Sequence, residues 1–216
     1  MMKPKVSAFD SKALEYESWF EDEGKLIFAT EVQAFQQILP LLSRPWLEIG
    51  AGSGRFAQAL GISIGLDPSI ELLKIAKSRG INAFLGKGEA APFRDGTFGT
   101  AFLIVTLCFV DSPLAVFKEV DRILKDNGKI VLGLVLRESP WGKLYQHKKK
   151  LGHHFYKHAL PYSFAELEAL LVQVSFSIEA VISTLFQKPE NVKNMESPQQ
   201  GYSPSAGFTV IMAGRI

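Results

Sequence analysis

The segment PWLEIGAGSG (residues 45–54) joins a short apolar run to three glycines at alternate positions. This pattern predicts a buried strand over Trp46 to Ile49, a turn over Gly50 to Gly54 and a helix over Arg55 to Leu60. Glycine permits positive φ and lets a ligand approach the backbone closely. A helix that begins after such a turn points unpaired N–H groups and a positive dipole end at its surroundings. The segment therefore indicates either a ligand-binding turn or a tight turn without a ligand.

Two acidic residues near this turn narrow the choice of ligand. A second predicted strand, Ile62 to Leu66, ends in Asp67, where a carboxylate accepts hydrogen bonds from ribose hydroxyls in open parallel sheets. The dinucleotide fingerprint G-x-G-x-x-G fails here, because Arg55 occupies its last position. Glu48, two residues before the turn, suits a cation better than a pyrophosphate. S-adenosylmethionine carries an ammonium, a sulfonium and a ribose but no phosphate, so these residues predict that ligand.

Four pieces of sequence carry a resemblance to a known family: LEIGAGSGRFA (47–57), GLDPSIELLKIAK (65–77), GKGEAAPFRDGTFG (86–99) and FKEVDRILKDNGKIVLG (117–133). In this order they resemble the catalytic domain of class I S-adenosylmethionine-dependent methyltransferases, in the branch that includes ubiquinone and menaquinone biosynthesis. The resemblance implies an α/β fold, a three-layer Rossmann-like sandwich. Its seven-stranded sheet is mostly parallel, with the last strand inserted antiparallel between strands five and six.

The resemblance also implies the cofactor and its contacts. S-adenosyl-L-methionine is the expected cofactor and S-adenosyl-L-homocysteine the product. We expect Glu48 to orient the ammonium end, Asp67 to hold the ribose, and the loop from Gly86 to Phe93 to grip the adenine. The family usually has acids at the positions of Lys87 and Gly99, and both are missing here. The candidate cofactor-binding residues are Tyr16, Glu48, Gly50, Ala51, Gly52, Asp67, Pro68, Gly88, Glu89 and Thr106.

One domain over residues 1–216 is expected, with three parts. Residues 1–40 form an N-terminal helical lid, 45–136 the cofactor-binding core, and 137–216 the substrate-side helices and a final strand hairpin. Helices are predicted over residues 8–20, 26–39, 139–150 and 163–173. The long connection 187–206 is either functional or disordered. Three aromatic residues either line a substrate pocket or pack their helices down, namely Trp19, Trp141 and Tyr145.

All four histidines lie within twelve positions. His154 and His158 would share a helical face, but no third ligand is evident and Gly152 disfavours a helix, so no metal site is expected. An imidazole titrates near neutral pH and is suited to be a general base. His153 and His154 are therefore candidate catalytic residues, with surface or packing roles as the alternative.

Composition bounds the remaining possibilities. The 216 residues are 47% hydrophobic and 21% charged, with a net charge of +2 that gives no case for nucleic acid. The run Lys148 to Lys150 is most simply a solvated patch. The single cysteine, Cys108, is expected in the core, and a reducing cytoplasm is the simplest setting. No apolar run approaches a membrane span of about 18 residues, and a monomer or weak dimer is expected.

These observations together predict methyl transfer to a small-molecule acceptor by in-line displacement. The nucleophile, whether N, O, S or C, is left open. One alternative is a non-catalytic protein that binds S-adenosylmethionine, which the departures at Lys87 and Gly99 allow. A nicotinamide-dependent oxidoreductase is disfavoured by Arg55 and Glu48, and nucleic acid methylation by the nearly balanced charge.

Overall fold

The computed structural model describes residues 13–22, 24–152 and 159–216. Within them, one sheet runs in the order β3-β2-β1-β4-β5-β8-β6-β7, with β1 to β5 parallel and β8 antiparallel between β5 and β6. The predicted α/β fold and inserted last strand are thus confirmed, with an eighth, two-residue strand at the edge. The strands are β1 (Trp46–Ile49), β2 (Ile64–Asp67), β3 (Asn82–Leu85), β4 (Phe98–Ile104), β5 (Leu124–Leu134), β6 (Phe176–Thr184), β7 (Gln199–Gln200) and β8 (Phe208–Arg215).

Helices cover both faces of this sheet and bury two apolar cores. Side chains alternate along each strand, so Leu47 and Ile49 enter one core while Trp46 enters the other. Residues of α5 and α7 fill the first core, and residues of α2 and α3 contribute to the second. The helices are α1 (Ala13–Glu21), α2 (Lys25–Gln36), α3 (Arg55–Leu60), α4 (Ile70–Ser78), α5 (Pro113–Ile123), α6 (Pro140–Lys150) and α7 (Phe164–Val172).

Serine side chains fix the beginnings of several helices. The hydroxyl of Ser69 accepts from the backbone N–H of Leu72 at the start of α4. Ser163 and Glu166 form the predicted capping box at the start of α7, in which each side chain accepts from the other residue's backbone N–H. Local sequence therefore determines where these helices begin.

Several elements differ in their bounds from the sequence-based expectation. The second strand, predicted over Ile62 to Leu66, covers Ile64–Asp67, and the helix predicted over residues 26–39 covers Lys25–Gln36. The fourth strand, predicted over residues 100–107, covers Phe98–Ile104, because Val105 adopts a positive φ of 52° and ends the pairing. The long connection 187–206 is ordered by tertiary contacts. The indole N–H of Trp141 donates to the Gln187 carbonyl at 3.0 Å, and the Ser183 hydroxyl donates to the Gly201 carbonyl at 2.8 Å. No helix of the described residues has the length and apolar character to cross a bilayer.

Candidate functional site

Three glycines at the end of β1 have positive φ and three different surroundings. A Cβ at Gly50 would lie 2.3 Å from the Thr106 side chain, so the turn packs closely against the end of β4. A Cβ at Gly54 would lie 3.0 Å from Ile81. At Gly52, with φ +52°, a Cβ would meet only Leu72, at 3.8 Å. The middle of the turn is therefore the place where the backbone is open to a ligand.

The Asp67 carboxylate lies directly beside this open backbone. It accepts the Gly52 N–H on Oδ2 and the Ser69 N–H on Oδ1, each at 2.8 Å, and the residue is 7% exposed. A carboxylate oxygen can accept more than one hydrogen bond. The sequence-based expectation that Asp67 and the glycine turn share one edge of the sheet is met by this geometry.

Glu48 is buried beneath the beginning of α3. Gly54, the residue before α3, has no side chain to cap the helix, and Glu48 instead forms a hydrogen bond with the backbone of Ala57 in its first turn. Burial raises the pKa of the Glu48 carboxyl well above its usual range, and the Asp67 charge adds to this, while the Ala57 hydrogen bond opposes it. Within the described residues, the buried Oε2 of Glu48 has no hydrogen-bond partner. Such an atom is suited to a donor from outside the chain.

The loop after β3 is tied to the loop before α5. The Glu89 carboxylate accepts the backbone N–H groups of Asp111 at 2.9 Å and Ser112 at 3.4 Å, and the Lys87 ammonium donates to Asp111 at 2.9 Å. Gly88 is buried, since a Cβ there would lie 2.8 Å from Ile49. These contacts fix the loop against the same edge of the sheet as Asp67.

Apolar side chains that sequence reasoning missed flank Asp67. Ile70 begins α4 and Leu85 ends β3, and they are 53% and 55% exposed. Large aliphatic side chains with this exposure beside a polar site are surfaces on which a flat ring can pack. The sequence could have indicated them, because Ile70 follows Asp67 closely and Leu85 ends the strand that pairs with β2.

The missing acid at Gly99 has a structural cause. A Cβ at this position would lie 2.3 Å from the Ser43 carbonyl oxygen, because the chain before β1 crosses there. The Ser43 hydroxyl donates to the Gly99 carbonyl at 3.3 Å, which fixes the crossing. The departure from the family pattern at this position therefore reflects backbone packing.

A narrow cavity, here called the inner cavity, lies on the other side of Thr106. Its volume is about 60 Å³. The Thr106 hydroxyl is 3.3 Å from the Gly50 carbonyl and 2.9 Å from the Ile104 carbonyl, so one side chain separates the cavity from the glycine turn. The walls of the inner cavity come from residues 105–109, 134–135, 142, 145–146, 149, 159 and 161–162.

Comparison with known proteins identifies the family to which this sheet and its glycine turn belong. A family model described as a methyltransferase domain matches residues 47–132. A crystal structure from Thermotoga maritima, described as a SAM-dependent methyltransferase and possible histamine N-methyltransferase, aligns with a TM-score of 0.91 and 36% identity, covering 97% of this chain and 99% of that one. The chain belongs to the class I S-adenosylmethionine-dependent methyltransferases.

Two further relatives match almost the whole of this methyltransferase chain. An uncharacterised protein of Mycobacterium tuberculosis is 40% identical over 212 residues, which are 97% of this chain and 74% of the relative. An uncharacterised protein of Methanocaldococcus jannaschii is 37% identical over 211 residues, which are 98% of this chain and 100% of the relative. Dependence on S-adenosylmethionine is a property of the family that the methyltransferase domain and the Thermotoga maritima structure identify. Membership of the ubiquinone and menaquinone branch stays a prediction.

A strained residue of the methyltransferase site faces the inner cavity. Val105 has φ +52°, is 39% exposed and lies on the cavity wall. The left-handed region is a genuine outlier for a β-branched side chain, and such strain concentrates at functional sites. A single-residue conformation of this kind leaves no signal in the sequence.

Cys108 lies on the same wall and is only partly buried. The expectation of a core thiol is therefore wrong. Its apolar surroundings raise the pKa of the thiol to about 12, so that it stays neutral at physiological pH. The 3₁₀ turn Leu107–Phe109 places this side chain on the cavity wall. The turn lies within an apolar run, so the sequence contains no indication that the strand has ended.

Of the three aromatic candidates for a substrate pocket, Trp141 and Tyr145 are in edge-to-face contact on α6, with ring centroids 6.3 Å apart, whereas Trp19 belongs to α1. Tyr145 is half-buried and lines the inner cavity. Trp141 is 3% exposed, and its ring packs directly against Gly207, where a Cβ would lie 2.3 Å from it. This position agrees with a packing role for Trp141. Trp19 packs over Gly24 between α1 and α2 in the same way.

Three other candidates fall partly or wholly outside the described residues. His153 and His154, the candidate bases, lie in the segment 153–158, so their catalytic role stays a prediction. Tyr16 belongs to α1, but its side chain is not among those described. Among the described residues, no cluster of potential ligands is suited to hold a metal ion.

An ion-pair network ties α1 to the glycine turn. Arg55, in the position that disfavoured a dinucleotide, donates to Glu17 at 2.8 Å and to Glu21 at 2.7 Å. Arg79 also donates to Glu17, and to the Ser53 carbonyl at 2.7 Å. Burial would raise the pKa of the Glu17 carboxyl, but the hydrogen bonds from Arg79 and Arg55 outweigh it and lower the pKa. Of the expected lid, α1 is therefore tethered beside the turn, while α2 packs in the second core.

Proposed function

We propose that this methyltransferase moves the methyl group of S-adenosylmethionine to a small-molecule acceptor by in-line displacement. The observation that carries the proposal is the Asp67 carboxylate held 2.8 Å from the Gly52 N–H, beside a turn whose middle is open. The polar groups of the site also fit the cofactor, since the buried Oε2 of Glu48 has no partner among the described residues and is available to accept a hydrogen bond. A bound ammonium group would favour the ionised form of Glu48 and so oppose the rise in its pKa that burial causes.

Each cofactor role follows from the chemistry of the side chain. Asp67 accepts hydrogen bonds from the ribose hydroxyls, with Pro68 directly after it. Glu48 acts on the ammonium end, and Gly50, Ala51 and Gly52 allow the backbone to approach. The loop with Gly88 and Glu89 borders the adenine, for which Ile70 and Leu85 provide apolar surfaces. Thr106 and Tyr16 border the methionine part.

Methyl transfer places few demands on the chain beyond positioning. The bound cofactor supplies a positively charged sulfonium, whose sulfur already departs readily. The chain contributes alignment of the nucleophile, and holding reactants in an attack geometry provides much of the acceleration in such reactions. The inner cavity, with Thr106 and Tyr145 on its walls, holds the reacting end of the acceptor and restricts water.

A hydroxyl or ammonium acceptor must also lose a proton. Cys108, although it lies on the cavity wall, is a poor base because its pKa of about 12 keeps the thiol protonated. His153 and His154 remain the proposed bases. The Thermotoga maritima relative is described as a possible histamine N-methyltransferase, so amines belong among the acceptors to be tested.

Calorimetric titration with S-adenosylmethionine tests the cofactor site. The Asp67→Ala variant is expected to bind at least about tenfold more weakly, because hydrogen bonds to charged groups contribute about 1.5–3 kcal/mol each. Asp126→Ala is a matched control, since Asp126 lies exposed in the turn within β5. Equal affinity of wild type and Asp67→Ala, with both variants folded by circular dichroism, would refute the assignment.

Conversion of S-adenosylmethionine to S-adenosylhomocysteine, measured with amines, thiols, phenols and quinols, tests the enzyme activity. Turnover with any class supports the proposal. Cofactor binding without turnover by any class would favour a non-catalytic binding protein. Binding of NADH in preference to S-adenosylmethionine would favour an oxidoreductase.

A further inference from the structure

A wide groove, here called the outer groove, adjoins the inner cavity. Its volume is about 660 Å³, within the usual range for small-molecule sites. Gln146, Lys149, Pro161 and Tyr162 line both spaces, so the two are direct neighbours. A ligand whose reacting end lies in the inner cavity can therefore place its remaining part in the outer groove.

The sizes of the two spaces divide such a ligand into two parts. The inner cavity, at about 60 Å³, is much smaller than the outer groove, at about 660 Å³. The smaller space suits the reacting end of an acceptor. The body of the acceptor must lie in the outer groove, against side chains such as Leu160, which is 58% exposed, and Pro161.

The outer groove carries an excess of positive charge. Among the described residues, its charged walls are Arg137, Lys149, Lys150 and a single acid, Glu166. Arg137 donates to Glu166 at 2.9 Å, so this pair is neutral as a unit. Lys149 donates to the Ala159 carbonyl at 2.6 Å, which orients the ammonium without neutralising it. Lys150 is exposed and forms no ion pair with any described residue.

The position of these lysines changes the interpretation of the run at 148–150. Cations at the end of a helix complement its dipole, and that alone explains a solvated patch. However, two of the three lysines line the groove beside the inner cavity. A protonated amine in the groove would be repelled there, whereas an anion would be attracted.

We propose that the acceptor combines an apolar body with an anionic group, a carboxylate or a phosphate, held by Lys149 and Lys150. The apolar body lies against Leu160 and Pro161, and the reacting end enters the inner cavity. This inference rests on the proposed methyl transfer and names the chemical class of its acceptor.

Calorimetry on the full chain saturated with S-adenosylhomocysteine tests the inference. Three probes share one phenol ring and differ in the charge of the side chain: 4-hydroxyphenylacetate is an anion, tyrosol is neutral and tyramine is a cation. Phenyl phosphate distinguishes a phosphate from a carboxylate. At least one anion is expected to bind about tenfold more tightly than tyrosol and tyramine, with an affinity that falls as salt is added. Equal or tighter binding of tyramine, or no binding of either anion, overturns the inference.

Two lysines of α6 supply a matched pair of variants. Lys150 lines the outer groove, whereas Lys143 is also exposed on the same helix and lies outside both spaces. Lys150→Gln is expected to weaken binding of the anion about threefold or more, and Lys143→Gln to leave it unchanged. Equal effects of the two variants contradict the inference. Loss of S-adenosylhomocysteine binding itself overturns the proposed function, while retained binding without preference for anions overturns this inference alone.

Discussion

Replacing Glu31 by glutamine is expected to change how the stability of this protein depends on pH. Glu31 lies in α2 and is 7% exposed, and its carboxyl group forms no hydrogen bond or ion pair with any described residue. Burial raises the pKa of its carboxyl from 4.5 to about 8. The folded state therefore keeps a proton that the unfolded chain has already released above about pH 4.5.

The sign and size of the effect follow from this difference in proton binding. Stability falls with rising pH wherever the folded state binds more protons than the unfolded state. The wild type thus loses stability between pH 4.5 and about 8 and is level above that. One pKa unit corresponds to about 1.4 kcal/mol, so the loss reaches at most about 5 kcal/mol. Glu31→Gln lacks this slope. Its buried amide adds a destabilisation of about 1–3 kcal/mol that does not vary with pH.

Urea unfolding followed by circular dichroism, between about pH 5 and pH 9, measures the slope. The difference in unfolding free energy between Glu31→Gln and wild type should shift in favour of the variant as pH rises. Glu168→Gln is the control, because Glu168 is exposed on α7 and forms no ion pair with a described residue. Parallel pH profiles of Glu31→Gln and wild type would refute the reasoning, since the carboxyl would then titrate alike in both states.

Three further outcomes follow from the site. Gly52→Ala and Gly80→Ala each place a side chain at positive φ and should each lose about 1 kcal/mol of stability. Only Gly52→Ala is expected to weaken S-adenosylmethionine binding in calorimetry, about tenfold, because Gly52 lies beside the Asp67 carboxylate whereas Gly80 follows the C-terminal end of α4; equal affinities would contradict the ligand-facing role. Val105→Gly should be more stable than Val105→Ala by about 1 kcal/mol in denaturant unfolding, the reverse of the usual order, because φ is +52°; a more stable alanine variant would disprove the strain. Glu17→Gln should speed proteolytic cleavage near α1. Because the pKa of Glu17 is lowered, wild type should keep its slow cleavage above pH 4.5 and lose it in more acid solution; identical rates for variant and wild type at neutral pH would contradict the tether.

Features that depend only on residues close together in the chain were predictable from the sequence. The strand Trp46–Ile49 and the helix Arg55–Leu60 have the predicted bounds, because an apolar run, glycines and an amphipathic segment follow one another without interruption. The capping box at Ser163 was predictable for the same reason. The order of strands came instead from the family resemblance, since pairing partners lie far apart in the chain.

Features that depend on distant neighbours were not predictable. Trp141 packs because Gly207 leaves space for its ring, a relation between residues that carries no periodic signal. The left-handed conformation of Val105 and the position of the half-buried Cys108 on the cavity wall likewise arise where β4 meets the glycine turn and the chain before α5. The outer groove joins α6 to residues 160–162, so the sequence gives its lysines only as a cationic run.

A crystal structure of the protein soaked with S-adenosylhomocysteine tests the central claim most directly. The account predicts density over the turn Gly50 to Gly54, with the Asp67 carboxylate accepting hydrogen bonds from the sugar hydroxyls. Density at another part of the chain, or an Asp67 side chain turned away from the sugar, would contradict it.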